Sequence, residues 1–242
     1  MQLVATAHVN STQHKPGLKT LPQACLFDLD GLLLNTEPLH GQAWEAAAAH
    51  FGTQLRQAQL LALRGRRRRD CADQVVRWLD ASIGSDELLA IQQPIARKLL
   101  PSAKPNAGAE ELVSWCAKHH MPMALVTSSA HESVAYKTAG HPWINQITTR
   151  VLGDDPNLEA GKPAPDPFLL AAQRLDVEAA SCWAFEDSAA GTHAALAAGC
   201  HVWVLNPDSS NLDCGILPKD GAWQTIASLN DVLTALKTLK TQ

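Results

Sequence analysis

Four short apolar runs punctuate the chain, at 24–27 (ACLF), 123–126 (MALV), 182–185 (CWAF) and 202–205 (VWVL), each bounded by turn or helix signals. Runs of this length without polar alternation predict strands buried on both faces, as in a parallel sheet. Between them the apolar spacing is helical, over 110–119, over a segment from Ser133 that stops at Gly140, and over 188–198 ahead of Gly199. Strand alternating with helix predicts an open α/β sheet flanked by helices.

The stretch from about Leu39 to Leu100 breaks this alternation. It holds no strand-like run, and it places Leu88, Ile91, Ile95 and Leu99, and likewise Ala72, Val75 and Leu79, at helical spacing. It reads as a helical insert, with Pro94 expected to kink or restart its last helix. Pro101, Ser102, Lys104 and Pro105 mark the crossing back. The expected partition is an amino-terminal tail over 1–20, an α/β core over 21–38 and 104–242, and an all-helical insert over 39–103. A hydrophobic content of 46% in 242 residues supports a sizeable core.

Composition removes some functions. A net charge of −4 gives no general basic field for nucleic acid or an anionic membrane, though a small phosphorylated ligand needs only local positive charge. The six cysteines are scattered without a C-x-x-C pair, which fits a reducing, cytoplasmic setting. No run approaches the ~20 apolar residues of a membrane span, and the first 20 residues lack the pattern of a secretory leader. The expectation is a cytoplasmic monomer with a loosely held tail.

Three of the four predicted strands end abruptly in groups suited to phosphate or metal chemistry. Asp28 and Asp30 follow the first, Thr127 and Ser128 the second, Glu186 and Asp187 the third. In an open parallel sheet ligands bind just beyond the carboxyl ends of the strands, so these residues are expected to converge. The turn Asp28-Leu29-Asp30-Gly31 leaves its strand tightly, with Gly31 able to take a backbone conformation closed to bulkier residues. An aspartate can attack phosphorus, but two anions repel, so the reaction needs a divalent cation and fixed donors. Glu186 and Asp187 are hard oxygen ligands of the kind magnesium prefers. Lys162, beside the stiff turn Gly161-Lys162-Pro163, offers compact positive charge, and Thr127 a hydroxyl. Singly, each has an ordinary reading: an acidic turn, a capped helix start at Glu186-Asp187-Ser188, another cap at Thr127-Ser128, a surface lysine. Their occurrence together, in order, on successive strand ends favours one phosphate site.

These residues make the chain resemble the haloacid dehalogenase superfamily of phosphohydrolases. The first family motif matches DLDGLLLNTE from Asp28 to Glu37, the second Leu125-Val126-Thr127-Ser128, the third Lys162 in GKPAPDPF, and the fourth Phe185-Glu186-Asp187-Ser188 with the following AAGTHAALAAG. The resemblance runs from about Cys25 to Leu205. It implies a Rossmann-like core with an inserted helical cap, and Mg2+ as cofactor. Asp28 is then the nucleophile. Asp30 is the acid that protonates the leaving oxygen and later the base that activates water, holding a proton at the start because its crowded anionic surroundings raise its pKa. Asp28, the Asp30 backbone carbonyl and Asp187 would ligate the metal, with Glu186 supporting its water shell. Thr127 and Lys162 would hold the phosphoryl group, assisted by Ser128.

The insert's position looks like the helical cap class, which closes over the core and excludes water. Gly65 and Arg68 match the G-x-x-R cap motif of the β-phosphoglucomutase-like branch, and His40 and Trp44 match its first cap helix. Arg68 also reads as part of a solvated arginine face over 64–69, and His40 as a packing residue. Gly153-Asp154-Asp155-Pro156 looks like the branch with pseudouridine-5'-phosphatase and sugar-phosphate phosphatases. The leading function is therefore phosphatase action on a sugar phosphate or similar small phosphomonoester, a small phosphorylated metabolite. A β-phosphoglucomutase stays open; it returns the phosphoryl group to another hydroxyl and uses a cap lysine, for which Lys98 is the candidate. A receiver-type signalling domain has similar residues in a different chain order, and a basic-patch binding protein would rest on the 64–69 run alone.

Overall fold

The apolar run at 24–27 forms the central strand of a six-stranded, fully parallel sheet. The computed structural model describes residues 20–63, 66–206 and 221–241. The strands are β1 (Ala24–Phe27), β2 (Met123–Val126), β3 (Thr149–Val151), β4 (Cys182–Glu186), β5 (His201–Leu205) and β6 (Trp223–Ile226), in the order β3-β2-β1-β4-β5-β6. The order reverses between β1 and β4, the point at which an open sheet leaves a crevice beyond its strand ends.

Side chains alternate across the sheet. Cys25, Phe27, Leu125, Phe185 and Trp203 face one core, Ala24, Leu26, Val126, Ala184 and Val204 the other. Both faces are covered, which is why these strands read as unbroken apolar runs. The first face is packed by α5 (Ala109–Lys118) and α9 (Leu229–Lys240), the second by α7 (Asp166–Arg174) and α8 (Ala189–Ala197). Ser188 caps α8 by accepting from the Gly191 N–H. The two edge strands β3 and β6 went unpredicted: each is short, half-exposed and carries polar residues such as Arg150 and Gln224, so neither presents an apolar run.

Between β1 and β2 the described residues form helices α1 (Glu37–His50), α2 (Gln57–Leu61), α3 (Arg68–Val76) and α4 (Ser85–Leu99). Their shared core joins Trp44, Ala47 and Ala48 of α1 to Leu88 and Leu89 of α4 and to Ala72 and Val75 of α3. Small alanines on α1 let the two long helices approach closely. The helix does not restart at Pro94, since α4 runs through it. Pro94 and Ala90, whose carbonyl the proline leaves without its usual donor, are both exposed, so water can satisfy that carbonyl. The amino-terminal residues 1–19, Gly65 and Cys214 lie outside the described residues.

Candidate active site

Strand register brings the predicted residues together. Phe27 pairs with Leu125 on one side and with Phe185 on the other, where the two rings stack with centroids 4.7 Å apart. The next residue of each strand then lies at a common level: Asp28, whose N–H donates to the Phe185 carbonyl (3.1 Å), and Glu186. Thr127 is buried one step further along β2, its N–H bonded to Val151. Gly31 has a φ of +83°, and a Cβ there would come within 2.0 Å of an Asp187 carboxylate oxygen. Glycine is required twice over, by conformation and by that close approach. Asn106, in the crossing back from the helical insert, fixes the same turn by donating to the Gly31 and Leu32 carbonyls (2.7 and 2.8 Å).

Lys162 lies under Asp28. Its ammonium is 2.6 Å from Asp28 Oδ1, 2.5 Å from Glu186 Oε1 and 2.9 Å from the Val126 carbonyl. Three hydrogens meet three acceptors, so contact with a phosphate oxygen requires one of these bonds to be given up. Burial works against the lysine's charge, but Asp28 and Glu186 outweigh it and hold the pKa above its ordinary value. For Asp28 burial dominates. It pushes the carboxyl up to about 8, with Glu186 and Asp30 adding to the rise and Lys162 opposing it.

Asp28, Glu186 and Asp187 each place a carboxylate oxygen so that all three lie within 4.8 Å of one another. Two of these acids, Asp28 and Glu186, share the single Lys162 ammonium, and Glu186 adds to the rise that burial imposes on the Asp28 pKa. A divalent cation with all-oxygen ligands fits that donor set, as magnesium would.

Asp30 behaves in the opposite way. Lys137, completely buried on α6 (His131–Thr138), puts its ammonium 2.7 Å from both Asp30 oxygens and 2.8 Å from Ser129 Oγ. Ser129 Oγ (2.7 Å) and Thr36 Oγ1 (2.8 Å) donate to the same carboxylate, and His40 Nε2 lies 3.2 Å away. Burial opposes ionisation of Asp30, yet Lys137 and His40 overcome it and hold the carboxyl well below its usual range. The crowding around Asp30 is cationic as well as anionic, through a lysine that the motifs do not include. A clue was in the sequence, since Lys137 follows Val134 by three residues on the face of α6 that packs inward.

The loop after β2 is braced by the Gly153-Asp154-Asp155-Pro156 segment. A Cβ on Gly153 would sit 2.1 Å from the Ser128 carbonyl oxygen, Gly153 N–H donates to Ser129, and the Asp154 carboxylate accepts from the His131 N–H that opens α6.

Above these residues a cavity of about 520 Å³ runs from the sheet to the helical insert. Asp28, Asp30, Thr127 and Ser128 line its floor, His40, Trp44 and Arg68 its walls. Arg68 also donates to Ser133 Oγ and Tyr136 OH, both 3.2 Å, and so bridges α3 to α6. Lys98 is exposed and does not line the cavity. Among the described residues no helix is long and apolar enough to cross a membrane, and the five described cysteines are buried and unpaired.

Comparison with known proteins gives a consistent result. A profile of the family described as "Haloacid dehalogenase-like hydrolase" matches residues 25–205. The fructose-1-phosphate phosphatase YqaB of Escherichia coli (strain K12) is 33% identical over 175 residues, spanning 72% of this chain and 91% of that protein. The (DL)-glycerol-3-phosphatase 2 of Arabidopsis thaliana is 32% identical over 212 residues, spanning 85% and 87%. In fold, the crystal structure of β-phosphoglucomutase from Clostridium difficile superposes with a TM-score of 0.74 at 17% identity, covering 92% of this chain and all of that one.

Proposed function

This chain belongs to the haloacid dehalogenase-like hydrolase family, and we propose that it is a magnesium-dependent phosphatase that hydrolyses a small phosphomonoester, a sugar or polyol phosphate, through an aspartyl-phosphate on Asp28. The observation that carries this reading is the meeting of Asp28, Lys162 and Glu186 within 2.6 Å contacts, beside Asp187 and Thr127, at three adjacent strand ends. The substrate class is supported by relatives named for fructose-1-phosphate and glycerol-3-phosphate. Residues 39–103 act as the cap, and the protein works as a cytoplasmic monomer.

In the first half-reaction an Asp28 oxygen bonds to phosphorus and the ester oxygen leaves with a proton from Asp30. Asp30 rests as a carboxylate on Lys137, so it must exchange that contact for a proton before acting as acid. In the second half it takes a proton from water, the water oxygen bonds to phosphorus, and the bond to Asp28 breaks. Thr127 and Ser128 orient the phosphoryl oxygens. Magnesium held by Asp28, Asp187 and the Asp30 carbonyl, with Glu186 behind its water shell, would neutralise charge on the transferring group.

A phosphate-release screen with magnesium over hexose, pentose, nucleotide, glycerol and glycolate phosphates tests this. Turnover abolished by Asp28→Asn and by EDTA is expected; failure of every ester with both aspartates intact sinks it. β-Glucose 1-phosphate with a bisphosphate activator separates the mutase alternative: stoichiometric phosphate without glucose 6-phosphate favours the phosphatase.

A further inference from the structure

Three buried side-chain atoms among the described residues have no hydrogen-bond partner: Arg67 Nε, Gln92 Oε1 and Trp203 Nε1. The first two, a donor and an acceptor, belong to residues lining the same cavity as Asp28 and Asp30. Gln92 is 1% exposed on α4, where the other buried residues are Leu88, Leu89 and Ala96. A leucine there would fill a similar volume without stranding a carbonyl oxygen away from water. Such a stranded acceptor is a standing cost unless something else supplies its donor.

Arg67 stands at the seam between cap and core. A Cβ on Gly161 would meet its Nε at 2.2 Å and its Cζ at 2.6 Å, so the guanidinium lies directly on the backbone leading into Lys162. Glycine at 161 makes that approach possible. Arg68, the arginine singled out by the cap motif, spends hydrogen bonds on Ser133 and Tyr136 instead.

Resting on the phosphatase reading, we infer that Gln92 and Arg67 form the subsite that reads the leaving alcohol: Gln92 accepts from a free hydroxyl of that alcohol and Arg67 donates to another of its oxygens. The substrate is then an ester of a polyhydroxy alcohol, and simple alkyl or aryl phosphates lack the groups that complete the site. A pocket built to bond a hydroxyl discriminates strongly against analogues without it, because its own polar atoms stay unpaired. Both residues set specificity and leave the phosphoryl transfer to the core.

The test uses the full chain with magnesium and two probe classes, fructose 1-phosphate and glycerol 3-phosphate against propyl phosphate and p-nitrophenyl phosphate. The wild type should favour a polyol ester over propyl phosphate in kcat/KM. Gln92→Leu and Arg67→Met should each lower kcat/KM for that polyol ester roughly tenfold to hundredfold while leaving propyl phosphate within about twofold. Without substrate, Gln92→Leu should melt no lower than wild type, because the stranded carbonyl is gone. Equal losses on both classes, or no loss on the polyol ester, overturn the inference. Turnover of propyl phosphate without any polyol ester overturns it and spares the phosphatase; turnover of no ester at all removes both.

Discussion

Replacing Lys137 with methionine deletes one buried charge while keeping most of the side chain's volume. The ammonium is wholly buried and bonds both oxygens of Asp30 at 2.7 Å. Breaking a buried pair by removing one partner costs roughly 3–5 kcal/mol when the remaining charge is left uncompensated. Asp30 keeps some compensation: Thr36 and Ser129 still donate to it, His40 is 3.2 Å away, and 16% of its side chain is exposed. The expected loss for Lys137→Met is therefore about 2–3 kcal/mol at neutral pH. Asp30→Asn strands a lysine with no solvent contact and belongs at the upper end, about 3–5 kcal/mol. The double variant carries neither charge, so a double-mutant cycle should return a coupling of about 2 kcal/mol or more. Urea unfolding of the four proteins in EDTA measures it. The pH dependence gives a second check. Lys137 and His40 overcome burial to depress the folded pKa of Asp30, so its stabilisation is complete above the unfolded value of about 4 and is lost as pH falls toward the folded one. The gap between wild type and Lys137→Met should hold above about pH 5 and shrink on further acidification. Single losses that sum to the double loss within about 0.5 kcal/mol, or a gap indifferent to pH, would refute the reasoning.

The remaining predictions concern the nucleophile and its supports. In EDTA, the folded chain keeps a proton on Asp28 up to about pH 8 whereas an unfolded aspartate loses it near 4, so stability should decline as pH rises from about 5 to 8. Asp28→Asn should flatten that slope in pH-dependent urea unfolding while abolishing turnover. Lys162→Met leaves Asp28 and Glu186 buried without their shared ammonium, and should cost roughly 3–5 kcal/mol in EDTA, less with millimolar magnesium, and lose phosphate release. Gly31→Ala forces a side chain into the Asp187 carboxylate at an unfavourable φ, and should weaken magnesium binding in calorimetry and destabilise by at least about 1 kcal/mol.

The sheet was legible wherever burial on both faces erased alternation, which is why β1, β2, β4 and β5 stood out and the half-exposed β3 and β6 did not. Asp28, Thr127, Glu186 and Asp187 were legible because a strand end is a position that local sequence marks. Lys137 was harder. It lies 107 residues from the carboxylate it serves, in the last turn of a helix, and its role comes from packing. Among charged residues, a lysine on a buried helical face is the feature that pattern reading can flag and motif matching cannot. Gln92 escaped for the same reason, since nothing in the sequence says that its acceptor goes unpaired.

Asp28 and Asp30 are two residues apart, and their surroundings push their pKa values in opposite directions, a pattern that in catalytic pairs assigns acid and base roles. In this arrangement the direction is the reverse of what the proposed first half-reaction needs, for the proposed nucleophile favours its proton and the proposed acid has given its own up. Burial dominates at Asp28, where the one lysine is shared, and is overcome at Asp30, where a lysine and His40 act together. Asp28 and Glu186 divide Lys162 between them, whereas Asp30 has Lys137 to itself. Turnover therefore requires two changes of opposite sign: added positive charge at the Asp28, Glu186 and Asp187 oxygens, and release of Asp30 from Lys137. The second depends on contacts from α1 and α6, since His40 and Lys137 both hold the carboxylate and α6 is bridged to α3 by Arg68. Movement of α1 and α3 relative to α6 would thus reach the proposed general acid directly. An Arg68→Met variant, which cuts that bridge and leaves every Asp30 contact in place, should shift the acidic limb of the pH profile for kcat/KM if the coupling is real. It should leave that limb unmoved if Asp30 is set by Lys137 alone.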